Sequence, residues 1–590
     1  MSLSALIYMN KNNVVCYIII LLIFLLKAFG GVFNENLYVY SPAELHFFDN
    51  SLFPNNIDVQ LNDGSVSPRL VSFFITSLLM KMGLSYEGAY LLLYILTSVL
   101  TAVAVFVFLK KTGIADSLFI AILLATYIAF SALGDFARFQ TFTPESLFLG
   151  LGLACSTVGV VYALLNKDKK DLNRPFFFII LASCAHIHEG IWGFAIVALI
   201  MLYYHQIGIF KSYAMYLSAL VILLLTVPVM LTSNQGTGLS SDDFYNIYVL
   251  FRAPHHLAFM SSVYQIPTTL ICYGLIYYII RITTGDKKDL GLCMYLIVIF
   301  VLTMALWYVT SEQLHISFFI KLYITKFIKY INLVFILLLC KSFVHDKING
   351  RYSLLFMIAS SVAMKAFIFP IFIMPALLVC VLYVKVPGYE RSKAIILVLL
   401  AFISVATGLR QYSATVIGIF TLGLIIAFVW ENKPVVLLSY LSVVLLFLVG
   451  KPMIQHKSFN PSEALLEEAS GEQVYSFAKK LADIVPKEEV ILADAFSKKS
   501  GYIQHIARRD LYALFKAAPS NENGIQEWYS RLQSVKNIND WSAEQQYSFM
   551  AQQKMNYLVL ESKELDNSFN QLFTEIQREG DLVLLNRIDK

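Results

Sequence analysis

Residues 86–111 read YEGAYLLLYILTSVLTAVAVFVFLKK. From Tyr86 to Leu109 the run is almost wholly apolar, and as a helix rising about 1.5 Å per residue it exceeds the roughly 30 Å hydrocarbon layer of a bilayer. It stops at Lys110 and Lys111. Lysines gathered at one end of a span mark the cytoplasmic side, so this segment runs inward and the chain just before Tyr86 lies outside.

Reading backwards from there, Arg69 to Met82 is short and interrupted by Lys81. Its length predicts a helix lying on the membrane surface rather than crossing it. Residues 34–85 then form one long first outer loop, whose part from Asn34 to Pro68 carries Glu35, Glu44, Asp49, Asp58 and Asp63 and no lysine. Val14 to Val32, following Lys11, is the first span and leaves the N-terminus cytoplasmic. It does not read as a cleaved signal peptide, because the apolar run is long and no small-x-small site precedes Asn34.

Reading forwards, the same register places the basic clusters inside: Lys167, Lys169, Lys170 and Arg174; Arg281, Lys287 and Lys288; Lys341, Lys347 and Arg351; Lys385, Arg391 and Lys393. Counting Arg69 to Met82 as a span would invert all four. The register predicts about 15 spans within residues 1–450, an odd number that leaves the C-terminus outside. Pro175 to His186 and Pro370 to Lys385 are short enough to be half-helices.

Composition agrees. Of 590 residues, 58% are hydrophobic and only 14% charged, against about 25% charged in a soluble protein. That excludes a soluble enzyme, and the 45 phenylalanines and 34 tyrosines exclude a disordered scaffold. A net charge of +5, scattered along the chain, gives no case for a nucleic-acid partner. All seven cysteines sit in apolar runs without CxxC spacing and read as core residues. Walker A and GxGxxG patterns are absent.

Beyond Lys451 the pattern changes. Residues 451–590 contain no spanning stretch, and EEVILAD (Glu488 to Asp494) and MNYLVLE (Met555 to Glu561) have the short apolar cores of buried strands. They predict a small soluble α/β domain, extracytoplasmic by the span count and folded without disulfides.

Ionisable residues near a bilayer are functional candidates by default, and they gather in five outer places. In the first outer loop Glu44, Asp49 and Asp58 suit a general base or a divalent-cation site, or else a solvated acidic loop. In GDFARFQTFTPES, Arg138 suits a phosphate clamp or a pair with Asp135, and Glu145 follows. In SCAHIHEGIWG, His186, His188 and Glu189 suit part of a metal site, a proton relay, or capping at a helix break. In SSDDFYNIYVLFRAPHHLAF, Asp242 and Asp243 are adjacent acids able to hold a cation, while Arg252, His255 and His256 suit a phosphate with a sugar stacked nearby, or a helix-entry turn. The last place holds Glu312 and His315, followed by Lys321, Lys326 and Lys329; Lys326 lies deep enough to face a cavity.

This pattern resembles the GT-C class of integral-membrane glycosyltransferases. The likeness rests on the cytoplasmic N-terminus, the acidic first outer loop with its surface helix, the many spans and the soluble outer tail. FRAPHHL and the tail segments VPKEEVILAD, RRDLYALFKAAP and EWYSRL look like those of a group of bacterial multispanning envelope proteins. The resemblance implies a bacterial inner-membrane protein with a polyprenyl-phosphate sugar as donor and a glycan, lipid or protein as acceptor. It further implies a base or metal ligand in the first outer loop, carried over to Glu44 and Asp58 by location, and a departing phosphate stabilised by Arg252 with His255 or His256, or by Arg138. The chain departs from the class in having no DD, DxD or EE in that loop; its outer-loop acid pair is Asp242 and Asp243. Two other readings stay open: a polymerase joining lipid-linked repeat units, and a transporter or non-enzymatic envelope factor. Against the last, no internal repeat links the halves of the chain.

Overall fold

A computed structural model describes residues 11–28, 33, 36–61, 67, 69–114, 121, 124–125, 127–129, 147–167, 171–233, 239–345, 453–455, 458, 460–519, 521–565 and 568–588. The expectations for Asp135, Arg138 and Glu145, for Pro370 to Lys385, and for the basic residues from Lys347 to Lys393 lie outside these residues.

Eleven helices of ten or more residues precede residue 346 in the described chain: α1 (Lys11–Ala28), α2 (Asn36–Phe48), α3 (Leu70–Lys81), α4 (Tyr86–Lys111), α5 (Leu147–Leu165), α6 (Arg174–Ala185), α7 (Ile187–His205), α8 (Tyr213–Ser233), α9 (Gln265–Thr283), α10 (Lys287–Trp307) and α11 (Thr325–His345). Among the described residues six, α4, α5, α7, α8, α9 and α10, are long and apolar enough to cross a membrane. The protein is a polytopic helical membrane protein.

Local chemistry sets the helix ends. Ser85 caps α4 by accepting from the Gly88 N–H at 3.0 Å, Glu87 lies in its first turn, and Lys110 and Lys111 close its last. These signs complement the helix dipole. Helix α3 has 12 residues, a length of about 18 Å that cannot span a bilayer. Its Phe73, Thr76 and Ser77 are buried, while Leu70, Phe74 and Leu78, at four-residue spacing, form an exposed apolar stripe suited to a membrane surface. Helices α6 and α7 make a tight hairpin around the single extended residue His186. At Gly190 a Cβ would come within 2.5 Å of Ser183 Cα, so the hairpin closes only because that position lacks a side chain.

The bundle has two chemically distinct ends. At one lie Lys110, Lys111, Arg174, Lys287 and Lys288, with a charge cluster in which Lys167 and Lys341 meet Asp289 at 3.2 and 2.6 Å and Lys167 also pairs with Asp286. At the other lie α2, α3, the His186 turn and the π-helical segment Tyr245–Arg252. Helix α11 joins the two through the middle of the bundle, buried on every side from Ile324 to Cys340.

Residues 461–588 form a mixed five-stranded sheet in the order β2-β1-β3-β5-β4, made of β1 (Val490–Leu492), β2 (Asp510–Leu511), β3 (Tyr557–Glu561), β4 (Phe573–Glu579) and β5 (Leu582–Arg587). Strand β1 is parallel to β2 and β3, and β5 is antiparallel to β3 and β4. Leu558, Val559 and Leu560 of β3 are all buried, as expected of a strand covered on both faces. Helices α12 (Pro461–Ser470), α13 (Glu472–Ile484), α14 (Lys498–Ala507), α15 (Glu522–Ser534) and α16 (Ala543–Gln552) accompany the sheet.

This domain docks on the polar end of the bundle. Tyr502 donates to the Phe33 carbonyl at 2.7 Å, and Gly501 packs so closely on the Tyr38 ring that a Cβ there would lie 2.5 Å from it. The Asn55 N–H donates to Asp510 at 2.8 Å. Phe251 sits among Phe515, Trp528 and Tyr529, and Lys321 meets Glu522 at 3.3 Å.

Candidate functional site

Helix α2 carries Tyr40, Ser41 and Glu44 on its inner side. Tyr40 and Glu44 are one turn apart and therefore share a face, and Arg69, at the entry to α3, serves both. Its guanidinium lies 3.7 Å from the Tyr40 ring centroid, and its charge acts on Glu44. Glu44 is 2% exposed and accepts one hydrogen bond, from the Tyr86 hydroxyl at 2.8 Å. Burial pushes its carboxyl up to about 7, against the opposing pull of the Tyr86 hydroxyl and Arg69.

Arg69 also acts on the α6–α7 turn. The His186 and His188 rings lie 5.5 Å apart, and both feel the charges of Arg69 and Lys326. His188 is fixed by its Nε2, 3.0 Å from the Lys321 carbonyl, and by an edge contact with Tyr323. Tyr323 shares a 2.9 Å hydrogen bond with Tyr248 and lies in the field of Arg252, which also acts on Tyr38. Arg69 thus links Glu44 and Tyr40 of α2 to His186 and His188, Lys326 at the start of α11 acts on the same histidines and lies 5.1 Å from the Tyr323 ring, and Tyr323 joins Tyr40 to Tyr248 and Arg252. Chemically these elements supply one elevated carboxyl, three basic side chains and ring faces.

The other sequence candidates have different surroundings. Glu189 is fully buried and committed to Lys329 Nζ at 2.6 Å and the Tyr330 hydroxyl at 2.5 Å, an ion pair that clamps α7 to α11. Arg252 donates to the Lys516 carbonyl at 2.8 Å and lies 5.7 Å from the Phe515 ring, so it ties the bundle to the C-terminal domain at the site's edge. His255 and His256 lie side by side, ring centroids 4.1 Å apart, and the His256 carbonyl accepts from Thr325. Asp49 is exposed; its Oδ1 accepts from the Ser51 N–H at 2.9 Å, and this bond holds its carboxyl below the usual range. Asp58 falls on the short helix Ile57–Leu61, with its side chain outside the described residues. The paired acids separate: Asp242 meets His315 at 2.6 Å, and Asp243 accepts from Ser240 in a helix cap. Among the described residues no group of three or more His, Cys, Asp or Glu is arranged to hold a metal ion.

Sequence reading missed three contributors. Arg69 registered only as the start of a surface helix, and Tyr86 only as the start of a span. The third is the pair His505 and Arg508, on and just after α14 of the C-terminal domain, which reach the Glu44 surroundings. His505 Nδ1 lies 2.8 Å from Ser41 Oγ, His505 Nε2 is 3.1 Å from Glu87, and Arg508 pairs with Glu87 and lies 5.8 Å from the Tyr86 ring. Burial and the Arg508 charge push the His505 imidazole down to about 4, so it is neutral at physiological pH.

No family model matches the chain, and no curated protein matches it. Two solved structures of ArnT from Cupriavidus metallidurans are similar over nearly the whole length. The apo state is 12% identical, covers 94% of this chain and 93% of its own, and has a TM-score of 0.39. The form bound to undecaprenyl phosphate is 12% identical, covers 98% of this chain and 97% of its own, and has a TM-score of 0.44.

Proposed function

We propose that the chain is a membrane glycosyltransferase of the GT-C type, taking a lipid-phosphate-linked sugar at the end of the bundle that carries the C-terminal domain. By the positive-inside rule that end is extracytoplasmic. The observation that carries the reading is Glu44: a buried carboxyl raised to about 7, hydrogen-bonded by the Tyr86 hydroxyl and under the charge of Arg69.

A general base works best with a pKa near the operating pH. In this reading Glu44 takes the proton of an acceptor hydroxyl as that oxygen attacks the anomeric carbon. The bond from that carbon to the lipid phosphate breaks, and its electron pair leaves with the phosphate. Arg69 is the cation that acts on Glu44, Lys326 acts on the neighbouring His186 and His188, and Arg252 lies at the rim. Preorganised charge at a developing anion is a large catalytic contribution. Tyr40, Tyr248 and Tyr323 offer ring faces and hydroxyls to the sugar, and the apolar stripe of α3 is a route by which a lipid tail stays in the bilayer.

The test is complementation of a strain lacking the protein, with surface glycans and lipids profiled by mass spectrometry. Wild type restores a missing sugar, whereas Glu44→Gln and Arg69→Gln, at equal protein level in the membrane, do not. Full restoration by both variants overturns the reading. Accumulated single repeat units, in place of a missing sugar, would favour a polymerase.

A further inference from the structure

The lysine pair that orients α4 also lines a cavity. At the end of α4 away from Glu44, between α4, α5, α6 and α8, lies a space of about 1080 Å³, at the upper end of volumes for small-molecule sites. Along α4, Tyr86 beside Glu44 and Phe106, where the lining begins, are 20 residues apart, roughly 30 Å of helix, so the two sites are distinct.

Its lining is ordered by polarity. Lys110, Lys111 and Arg174 supply positive charge, and Asp171 is the acid among the lining residues. Arg174 is occupied: its Nε lies 3.2 Å from Asp171 and its guanidinium 5.2 Å from the Tyr162 ring. Neither lysine has a carboxylate partner among the described residues. Tyr162 and Phe178 stack in the wall at 5.6 Å and 5°. Phe177, Tyr213 and Leu217 expose apolar surface beside them, towards where the bilayer lies.

One polar atom is left over. Asn166 lines the cavity and is 5% exposed; its Nδ2 donates to the Asp171 carbonyl at 2.6 Å, but its Oδ1 accepts from no described residue. A buried acceptor without a donor costs about 1–3 kcal/mol, so a ligand that brings a donor is favoured there.

We propose that this cavity binds the headgroup of an anionic glycerophospholipid. The phosphate faces Lys110 and Lys111, a headgroup hydroxyl donates to Asn166 Oδ1, and an acyl chain follows Tyr162 and Phe178 into the bilayer. Basic recesses between spans on the cytoplasmic side are suited to such headgroups. The exposed apolar mouth favours a lipid over a soluble anion, which has no use for it. The assignment is independent of the chemistry proposed at Glu44.

The experiment is native mass spectrometry of the purified full chain, delipidated in detergent and offered equal amounts of dioleoyl phosphatidylglycerol and dioleoyl phosphatidylcholine. Wild type should retain the phosphatidylglycerol preferentially. Lys110→Gln/Lys111→Gln, which changes two exposed side chains, should lose that preference by about fivefold per lysine. Asn166→Leu should weaken it with the lysines intact. Equal retention of both lipids, no retention of either, an unchanged preference in the double lysine variant, or displacement by excess inorganic phosphate would each overturn the proposal.

Discussion

Arg508, just after α14 of the C-terminal domain, forms an ion pair with Glu87 in the first turn of α4, one residue from the tyrosine that donates to Glu44. The acid is nearly buried, so its charge depends on this partner and on His505. Replacing Arg508 by Met should therefore destabilise the docked domain by about 3 kcal/mol, the low end for a broken buried pair. Thermal unfolding and protease sensitivity of the tail would both register the loss. The exchange Arg508→Glu/Glu87→Arg should recover part of it, and no change in either measurement would mean that the pair is not formed.

The elevated Glu44 carboxyl fixes the shape of the pH profile. A base must be ionised to accept a proton, so transfer should rise with pH up to about 7 and level off above it. Tyr86 and Arg69 both hold the carboxyl down. Tyr86→Phe should therefore move the acid limb to higher pH, and Glu44→Gln should lower the rate by about a hundredfold or more. A limb that stays in place in Tyr86→Phe would detach it from Glu44.

Asp510 makes a second pH-dependent contribution, of opposite use. Burial beside Asn55 raises its carboxyl from 3.8 to about 7. A folded-state pKa above the unfolded value means that the folded protein binds the extra proton. The associated stability is full below about pH 4 and is lost as pH rises through 7. Asp510→Asn should thus raise the melting temperature at pH 8 and leave it nearly unchanged at pH 4. A uniform shift at both pH values would point to packing instead of ionisation.

Glu189 and Lys329 test structure against chemistry. Lys329→Met strands a wholly buried carboxylate and should cost about 3–5 kcal/mol, whereas Glu189→Leu/Lys329→Met should recover much of that. If the double variant folds and complements, the pair is a clamp between α7 and α11. If it folds and fails to complement, one of the two takes part in the chemistry.

What the sequence made legible follows from range. The apolar helices long enough to span, the shortness of α3 and the strands at 490–492 and 557–561 depend on local hydropathy and length, and those are written in consecutive residues. Glu44 was reachable because a carboxylate in a lysine-free outer loop is conspicuous. Arg69 was not, because its role comes from stacking on Tyr40, 29 positions earlier. The Glu189–Lys329 clamp joins residues 140 apart, and Arg508–Glu87 joins residues 421 apart. Such pairs leave no periodic trace, and the helix break that exposed His188 and Glu189 to notice gave no sign that only the first faces the site.

The contact of His505 with Ser41 also carries a meaning for biosynthesis. Helix α2, which holds Glu44, leaves the ribosome early, while α14, which packs against it, is made 464 residues later. Long-range closure of this kind is slow and comes last in folding. A nascent chain therefore inserts its spans without completing the site, and any activity proposed at Glu44 is withheld until the sheet domain has folded and docked.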